Sequence, residues 1–367
     1  MSKKKVKILY TIPNFDTAGS GKVVYDLVSK LDKNLFEPHI ACFHTRGAFF
    51  KEVENLQVPI HIVRFTVAYR PFWSFPFRLL KIVRFFKKHN FDIVHSWHWS
   101  SDFSEPLAAR LAGVFYIYTK KAMSWGNKLW KLRSKFSNGI IYINRDMESQ
   151  FFLHMTEKSF YMPLGVDTEF YKPEERLKEN INAIHIEKDD FVVVSIANLV
   201  PVKGVEILLQ AVKELEDSSI KVIIIGENEN DYGIELKSTF ENEFTYFVGK
   251  QNDIRPYLTI ADVFVIPTKN EGRKEGMPMA PLEAMSSERI VIGSDISGIK
   301  DILASFSEHL FKPSNTVELK EKILMIRQLP KKEKELLQMK MREVVLENFT
   351  IDKCVKRHEE LYIQSVR

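Results

Sequence analysis

The sequence predicts an α/β chain folded as two domains, each a parallel sheet with helices on both faces. Three observations predict it. Short, β-branched apolar runs alternate with longer amphipathic ones from end to end. The 367 residues exceed one average domain and suit two. A polar stretch that opens on a proline, Lys172-Pro-Glu-Glu-Arg-Leu-Lys-Glu-Asn, puts the break between the halves near 172–189. The expected division is 1–172 and 173–345, followed by a charged helical end, 346–367.

The elements follow in order. In the first half, strands are expected at 6–12, 39–43, 60–65, 92–97, 115–119, 139–143 and 160–163. Helices are expected between several of them, at 22–31, 77–88, 105–111 and 145–153. The second half repeats the grammar, with strands at 191–197, 221–226, 246–249, 262–267 and 290–294. Its helices are expected at 205–215, 281–286 and 317–327. Residues 331–367 read as mostly helical, with Glu347-Asn-Phe-Thr350 marking a stop and a fresh N-cap at Thr350. Open parallel sheets bind ligands at the carboxyl ends of their strands, and two such domains facing each other make a cleft.

Composition narrows the classes. A hydrophobic content of 45% supports globular cores and excludes disorder. The formal charge of +5 is modest for this length, so its distribution matters more than its total. The two cysteines, Cys42 and Cys354, form neither a metal-ligand spacing nor a disulfide framework, which suits a reducing compartment. The opening Met-Ser-Lys-Lys-Lys-Val-Lys-Ile-Leu-Tyr reads as a first strand, not a secretory segment. No apolar run approaches the roughly 20 residues a membrane span needs. A cytoplasmic protein is expected, with any membrane contact peripheral. Aromatics interleave with basic residues and no acid over 64–88, and again over 125–135. Such segments suit an anionic membrane surface, or else a packed helix with a solvated basic face. No recognised nucleic-acid motif accompanies them, so nucleic acid is not an expected partner.

The richest stretch is 271–285, Glu-Gly-Arg-Lys-Glu-Gly-Met-Pro-Met-Ala-Pro-Leu-Glu-Ala-Met. Glu275 and Glu283 stand either side of a loop-to-helix transition. Gly276 frees the backbone, and Pro278 suits the opening turn of a helix. Two carboxylates so spaced can grip two hydroxyl-bearing parts of one ligand, while N–H groups between them hold an anion. That combination suits a sugar joined to a nucleotide by phosphates. As isolated residues the same glutamates would be ordinary surface carboxylates.

In its context, Glu275-Gly-Met-Pro-Met-Ala-Pro-Leu-Glu283 resembles the E-x7-E signature of retaining glycosyltransferases of family 4, which have the GT-B fold. The strand before it and Ile290-Val-Ile-Gly-Ser-Asp-Ile-Ser-Gly298-Ile-Lys-Asp301 after it match the flanking pattern. Glu271-Gly272 begins like the motif, but its eighth following residue is Met279. The resemblance implies two Rossmann-like domains with parallel sheets facing across a cleft, and a C-terminal helix that crosses back to the first domain. It implies that Glu275 contacts the donor sugar, that Glu283 holds the ribose hydroxyls, and that Gly276, Met277 and Pro278 form the turn between. Lys203 and Gly204 match the family's Lys-Gly, whose lysine binds the diphosphate. Asn198 stands where relatives often carry an arginine, so it donates a hydrogen bond without a charge. Gly19 and Gly21, in Ala18-Gly-Ser-Gly-Lys22, resemble the glycine loop that approaches donor phosphates and acceptor. Relatives often have a histidine where this chain has Thr119-Lys120-Lys121, and His98 after the fourth strand is a candidate substitute.

The implied activity is transfer of a hexose-type sugar from a nucleotide-diphosphate donor to a hydroxyl of a glycan or lipid-linked acceptor, with retention and without metal or other cofactor. Glu275, Lys203 and His98 are the candidate catalytic residues. Alternatives on the same architecture are a nucleotide-sugar epimerase, a glycosyl phosphorylase, or a sugar-nucleotide-binding protein without turnover.

Overall fold

The computed structural model describes residues 4–16, 18–47, 49–175, 184–272 and 276–366. The chain divides into two compact units, Met1–Leu164 with Ile351–Arg367, and Gly165–Thr350.

In the first unit the elements run β1 (Val6–Thr11), α1 (Ala18–Lys30), β2 (Phe36–Cys42), α2 (Phe50–Glu54), β3 (Ile60–Ile62), α3 (Phe75–His89), β4 (Ile93–Ser96), α4 (Ser104–Ala112), β5 (Phe115–Lys120), α5 (Trp130–Phe136), β6 (Gly139–Tyr142) and β7 (Ser159–Tyr161). They form a seven-stranded parallel sheet in the order β3-β2-β1-β4-β5-β6-β7. The chain winds outward from β1 to β3 and then returns to the other side of β1, so the topology reverses between β1 and β4. Loops leave a crevice at the carboxyl ends at such a point. Nearly every residue of β4, β5 and β6 is buried, as expected for a parallel sheet covered on both faces.

The second unit repeats the plan. Its elements are β8 (Phe191–Ile196), α6 (Val205–Lys213), β9 (Ile220–Ile225), α7 (Asp231–Phe240), β10 (Thr245–Phe247), α8 (Arg255–Ile260), β11 (Val263–Ile266), α9 (Ala280–Ser286), β12 (Ile290–Ser294), α10 (Ile299–Ile302), β13 (Leu310–Phe311), α11 (Thr316–Gln328) and α12 (Lys331–Asn348). The six parallel strands lie in the order β10-β9-β8-β11-β12-β13, with the reversal between β8 and β11. The last helix, α13 (Ile351–Ser365), belongs to the first unit. Among the described residues no helix is long and apolar enough to cross a membrane.

An aspartate clamps the two strands at each reversal. The Asp92 carboxylate accepts from Lys7 N at 2.8 Å, while Asp92 N donates to Lys7 O at 2.9 Å. Asp262 does the same to Val192, accepting at 2.8 Å and donating at 2.9 Å.

Three expectations differ from the structure. The first unit ends at Leu164, ahead of the polar break, because the next residues are tied to the second unit. The Tyr171 carbonyl accepts from the Ser286 hydroxyl and from Arg342, the Arg255 guanidinium lies 4.0 Å from the Phe170 ring centre, and Val166 bridges Thr350. The helix expected at 145–153 is a single π-helical turn, Glu148–Phe152, which sets the adjacent Phe151 and Phe152 rings 5.8 and 6.4 Å from Trp130. Two-residue β13, and the helices α2, α7, α8 and α10, carry too short or too polar a pattern to stand out in the sequence.

The underside of the first unit's carboxyl edge is polar and fully buried. Glu105 accepts from Thr11 Oγ1, and from Ser96 Oγ and Tyr116 OH at 2.8 Å each. Arg133 lies 3.8 Å from the same carboxylate, and both side chains are wholly inaccessible. Burial pushes the Glu105 carboxyl up, opposed by Arg133 and the three hydroxyls. Helix α13 completes this core. Tyr10 OH donates to Tyr362 OH at 3.0 Å, and His95 is hydrogen-bonded through Nδ1 to Tyr362 OH at 2.6 Å and through Nε2 to Thr119 Oγ1 at 2.8 Å. That chain pairs both ring nitrogens and leaves His95 a satisfied core histidine. His358, also on α13, donates from Nδ1 to Cys354 O at 2.8 Å, and its buried Nε2 has no partner among the described residues.

Two predictions follow from this core. Asp262→Ala leaves Val192 N unpaired and should destabilise the chain by about 1–3 kcal/mol in urea unfolding, while Asp262→Asn, which keeps an acceptor, should lose much less. Equal losses would refute the clamp. The second concerns pH. Burial, outweighing its bond to Cys354 O, holds the His358 pKa down at about 4, against an unfolded value near 6.5. The unfolded chain therefore binds the extra proton first. This contribution is complete above pH ~6.5 and lost as pH falls toward 4, with a slope of about 1.4 kcal/mol per pH unit. His358→Gln should lose less stability between pH 6.5 and 5 than the parent; an equal loss would refute it.

Candidate functional site

The second unit's site starts at the end of β8. The chain passes exposed Asn198, forms a 3-10 turn at Pro201–Lys203, and enters α6 through Gly204. Gly204 has φ +64°, and a Cβ there would stand 2.2 Å from the Pro267 carbonyl oxygen. Only glycine allows this turn to press on the end of β11. A second stitch runs from Lys269 N to Val202 O at 2.8 Å, and the Lys269 ammonium pairs with Glu206 and, at 3.6 Å, with Glu271. The Lys203–Gly204 turn and the loop after β11 are thus one body, standing on adjacent strands.

Gly276, Met277 and Pro278 are buried in that loop. Gly298, with φ +82° after β12, approaches so closely that a Cβ would lie 2.1 Å from the Gly276 carbonyl oxygen. Pro278 lies ahead of α9 rather than in its opening turn. Pro281 occupies that position, because α9 begins only at Ala280. Glu283 is in the first turn of α9, with its N–H bonded to Met279 O at 3.0 Å, and its carboxylate acts on the Tyr171 phenol nearby. Burial and the Glu283 charge raise the Tyr171 pKa, so the phenol stays a donor. Nothing in the sequence pointed to Tyr171; it precedes the polar break and reaches Glu283 only through the fold. Glu275, with Arg273 and Lys274, lies outside the described residues.

In the first unit the loops after β1, β4 and β5 meet. Lys121 Nζ donates to Ser20 Oγ at 3.0 Å and to the Trp97 carbonyl. One lysine therefore ties the glycine loop to the β4 loop. The two glycines differ. Gly19 breaks the helical path of α1, with φ −17° and ψ −106°, and nothing stands within 4 Å of its Cβ position. Gly21 packs on Phe15, 3.0 Å from that position, so its small size serves packing.

His98 sits edge-on to Phe43 and Phe65, with ring centres 5.9 and 5.7 Å away, and its buried Nδ1 has no partner among the described residues. Burial first, then the charges of Arg133 and Lys121, lower its pKa to about 3. The imidazole is therefore neutral at neutral pH, suited to hydrogen bonding rather than to holding a proton. Arg133 fixes this loop from below by donating to Ser100 O at 2.9 Å. Lys120 points away, buried 4.1 Å from the Trp125 ring centre. Among the described residues no group of three or more His, Cys, Asp or Glu side chains is placed to hold a metal ion.

Known proteins resemble this chain in family and in fold. Residues 17–170 match the family model described as Glycosyltransferase Family 4, and residues 177–340 the one described as Glycosyl transferases group 1. A Bacillus subtilis glycosyltransferase named for teichuronic acid biosynthesis, TuaC, is 29% identical over 168 residues, which is 45% of this chain and 40% of that protein. The chain thus spans less than half the length of that relative. The Escherichia coli UDP-Gal:alpha-D-GlcNAc-diphosphoundecaprenol alpha-1,3-galactosyltransferase is 26% identical over 319 residues, 78% of this chain and 79% of that one. Among solved structures, Anabaena Alr3699/HepE in complex with UDP and glucose has a TM-score of 0.77 at 17% identity, covering 97% of this chain and 99% of that chain. This last likeness is one of fold. With two family matches in tandem along most of its length and the parallel-sheet fold of such enzymes in each unit, the chain belongs to the GT-B glycosyltransferases, and its amino-terminal part matches Glycosyltransferase Family 4.

Proposed function

We propose that this glycosyltransferase moves a hexose-type sugar from a uridine diphosphate donor to a hydroxyl of a lipid-linked or glycan acceptor, with retention at the anomeric carbon. The observation that carries the donor reading is the fused pair of loops on β8 and β11. It joins a cation, Lys203, to a segment ending in a carboxylate, Glu283, through the Gly204–Pro267 and Lys269–Val202 contacts. The Anabaena complex with UDP and glucose supports uridine, and the named lipid-diphosphate substrate of the Escherichia coli relative supports the acceptor class. The lipid-linked acceptor implies work at a membrane surface, on its cytoplasmic side.

In this mechanism the anomeric carbon–oxygen bond to the diphosphate breaks as the acceptor oxygen bonds to the same face of that carbon. The acceptor proton passes to the departing phosphate oxygen, so no separate protein base is needed. Negative charge grows on the diphosphate, and Lys203 stabilises it more in the transition state than in the ground state. Glu283, oriented by Tyr171, accepts from the ribose hydroxyls. Glu275 orients the transferred sugar. Met277 and Pro278 shape the turn beneath it, and Asn198 adds an uncharged donor. Gly19 lets a ligand approach the backbone of the first unit, where neutral His98 and Lys121 contact the acceptor. No metal takes part, since lysine and backbone amides meet the phosphate charge.

Two experiments test this. In thermal unfolding, UDP at 100 times its dissociation constant should stabilise the chain by about 2.7 kcal/mol, with GDP and ADP giving less at equal concentration. Glu283→Ala should weaken UDP binding by about 10- to 100-fold, the loss of charged hydrogen bonds. In transfer assays with a UDP-hexose and a lipid-diphosphate-linked sugar, Lys203→Ala and Glu275→Ala should each lower kcat by about 10²–10³. Near-parental turnover in both would sink the site assignment.

A further inference from the structure

From Arg64 to Phe91 the chain carries seven Lys or Arg residues and no Asp or Glu. Helix α3 lies inside this stretch. Its inner side, Leu79, Ile82, Val83 and Phe86, is buried and satisfies the core. An ordinary surface helix would be polar on its other side. Here Phe77 is 69% and Leu80 42% exposed, and they continue Phe72 and Trp73, 67% and 79% exposed, on the 3-10 turn just before. Lys81, Arg84, Lys87 and Lys88 lie exposed farther along the same helix.

The aromatic tip is held in place. The Pro71 carbonyl accepts from Arg78 Nη2 at 3.0 Å and from Ser74 Oγ at 3.3 Å, and the Arg70 guanidinium covers the Tyr69 and Phe72 rings at 5.6 and 5.9 Å. Helix α3 returns the chain from β3 to the start of β4, so its amino-terminal end lies at the carboxyl edge of the sheet, as do Ser20, Trp97 and Lys121. Tyr69 and Phe75 pack on Phe103 at 6.1 and 5.9 Å, and Val67 N bonds Ser104 Oγ at 2.9 Å. The patch is therefore joined to the segment that follows the His98 loop. The other basic aromatic run, 125–135, is used differently. Trp125 stacks on Trp130 at 5.2 Å and Arg133 is fully buried, so its rings and its arginine serve packing.

We propose that the outward face of 72–88 docks on an anionic lipid bilayer. Phe72, Trp73, Phe77 and Leu80 enter the boundary between headgroups and acyl chains, and Lys81, Arg84, Lys87 and Lys88 lie at the level of the lipid phosphates. Charge complementarity selects this occupant: large exposed aromatics beside an acid-free basic row match a surface that is apolar in depth and anionic above. This deepens the proposed function, and rests on it only for its purpose: it would hold the acceptor edge of the first unit against the layer that carries a lipid-linked acceptor.

The test is sedimentation of the full chain with sucrose-loaded vesicles, without any sugar nucleotide. Vesicles of phosphatidylglycerol and phosphatidylcholine should bind it, and vesicles of phosphatidylcholine alone should bind it at least ~10-fold less. Trp73→Ser with Phe77→Ser should lower partitioning by about 10-fold or more. Lys81→Gln with Arg84→Gln should lower it by about fivefold per charge and flatten its salt dependence. Parental circular dichroism and an unchanged UDP thermal shift show that the variants are folded and keep the donor reading separate from this one. Equal binding to both vesicle types, or no loss in the Trp73/Phe77 variant, would overturn the proposal. So would a Trp73-dependent dimer with no vesicle binding, which would make the patch an interface between copies of the chain.

Discussion

Asp92 and Asp262 each exchange two hydrogen bonds with the first strand of their sheet, and both sheets depend on that exchange for their layout. A parallel strand that starts beside β1 or β8 has no hairpin to set its register. The aspartate supplies it, by pairing a side chain with the neighbour's N–H and its own N–H with the neighbour's carbonyl. With the register set, Thr11 stands level with Ser96 at the carboxyl end of β1 and β4. The loops that leave those ends are the ones that carry the candidate site. The same device at the same topological point in both units is a likeness of construction that the residues around it do not repeat.

Above the clamp, each unit holds its loops by a different means. In the first unit the means is buried polarity. Glu105 gathers hydroxyls from β1, β4 and β5, Arg133 reaches from α5 to the carbonyl of Ser100, and Lys121 spans from β5 to the glycine loop. A buried charge pair is weak evidence for stability, since desolvation offsets most of its attraction. What it does supply is direction: the hydrogen bonds are satisfied only when these strand ends and loops hold one arrangement. In the second unit the means is backbone proximity. Gly204 on Pro267, Gly226 on Ala197 and Gly298 on Gly276 are contacts a Cβ would forbid. Close backbone packing leaves little room for the loops to shift.

Helix α13 links chain order to this scheme. It is the last element in the sequence, yet Tyr362 closes the hydrogen-bond chain through Tyr10 and His95 in the first sheet. Burial in that core holds the pKa values of His95 and His358 below the ordinary histidine range.

The sequence by itself determined the fold class, most strand positions and the glycosyltransferase family, because β-branched periodicity and the Glu-x7-Glu spacing are local signals. It also marked Lys203 and Gly204 by one short motif and Glu283 by another. It misjudged Pro278, since the start of α9 depends on packing of the loop beneath Gly298 rather than on the nearest proline. It had no means of finding Tyr171 beside Glu283, or Lys121 between Ser20 and Trp97, because those contacts join residues far apart in the chain. It marked His98 only by its place after the fourth strand. Tertiary structure set it apart from the nearby His95: His95 is enclosed with both nitrogens satisfied, whereas His98 stands on a loop with a buried nitrogen that has no partner among the described residues. The two basic aromatic runs looked alike for the same reason. Only the fold decided that one turns its rings inward to stack and the other leaves them exposed, since burial depends on what covers a helix and not on the helix's own sequence.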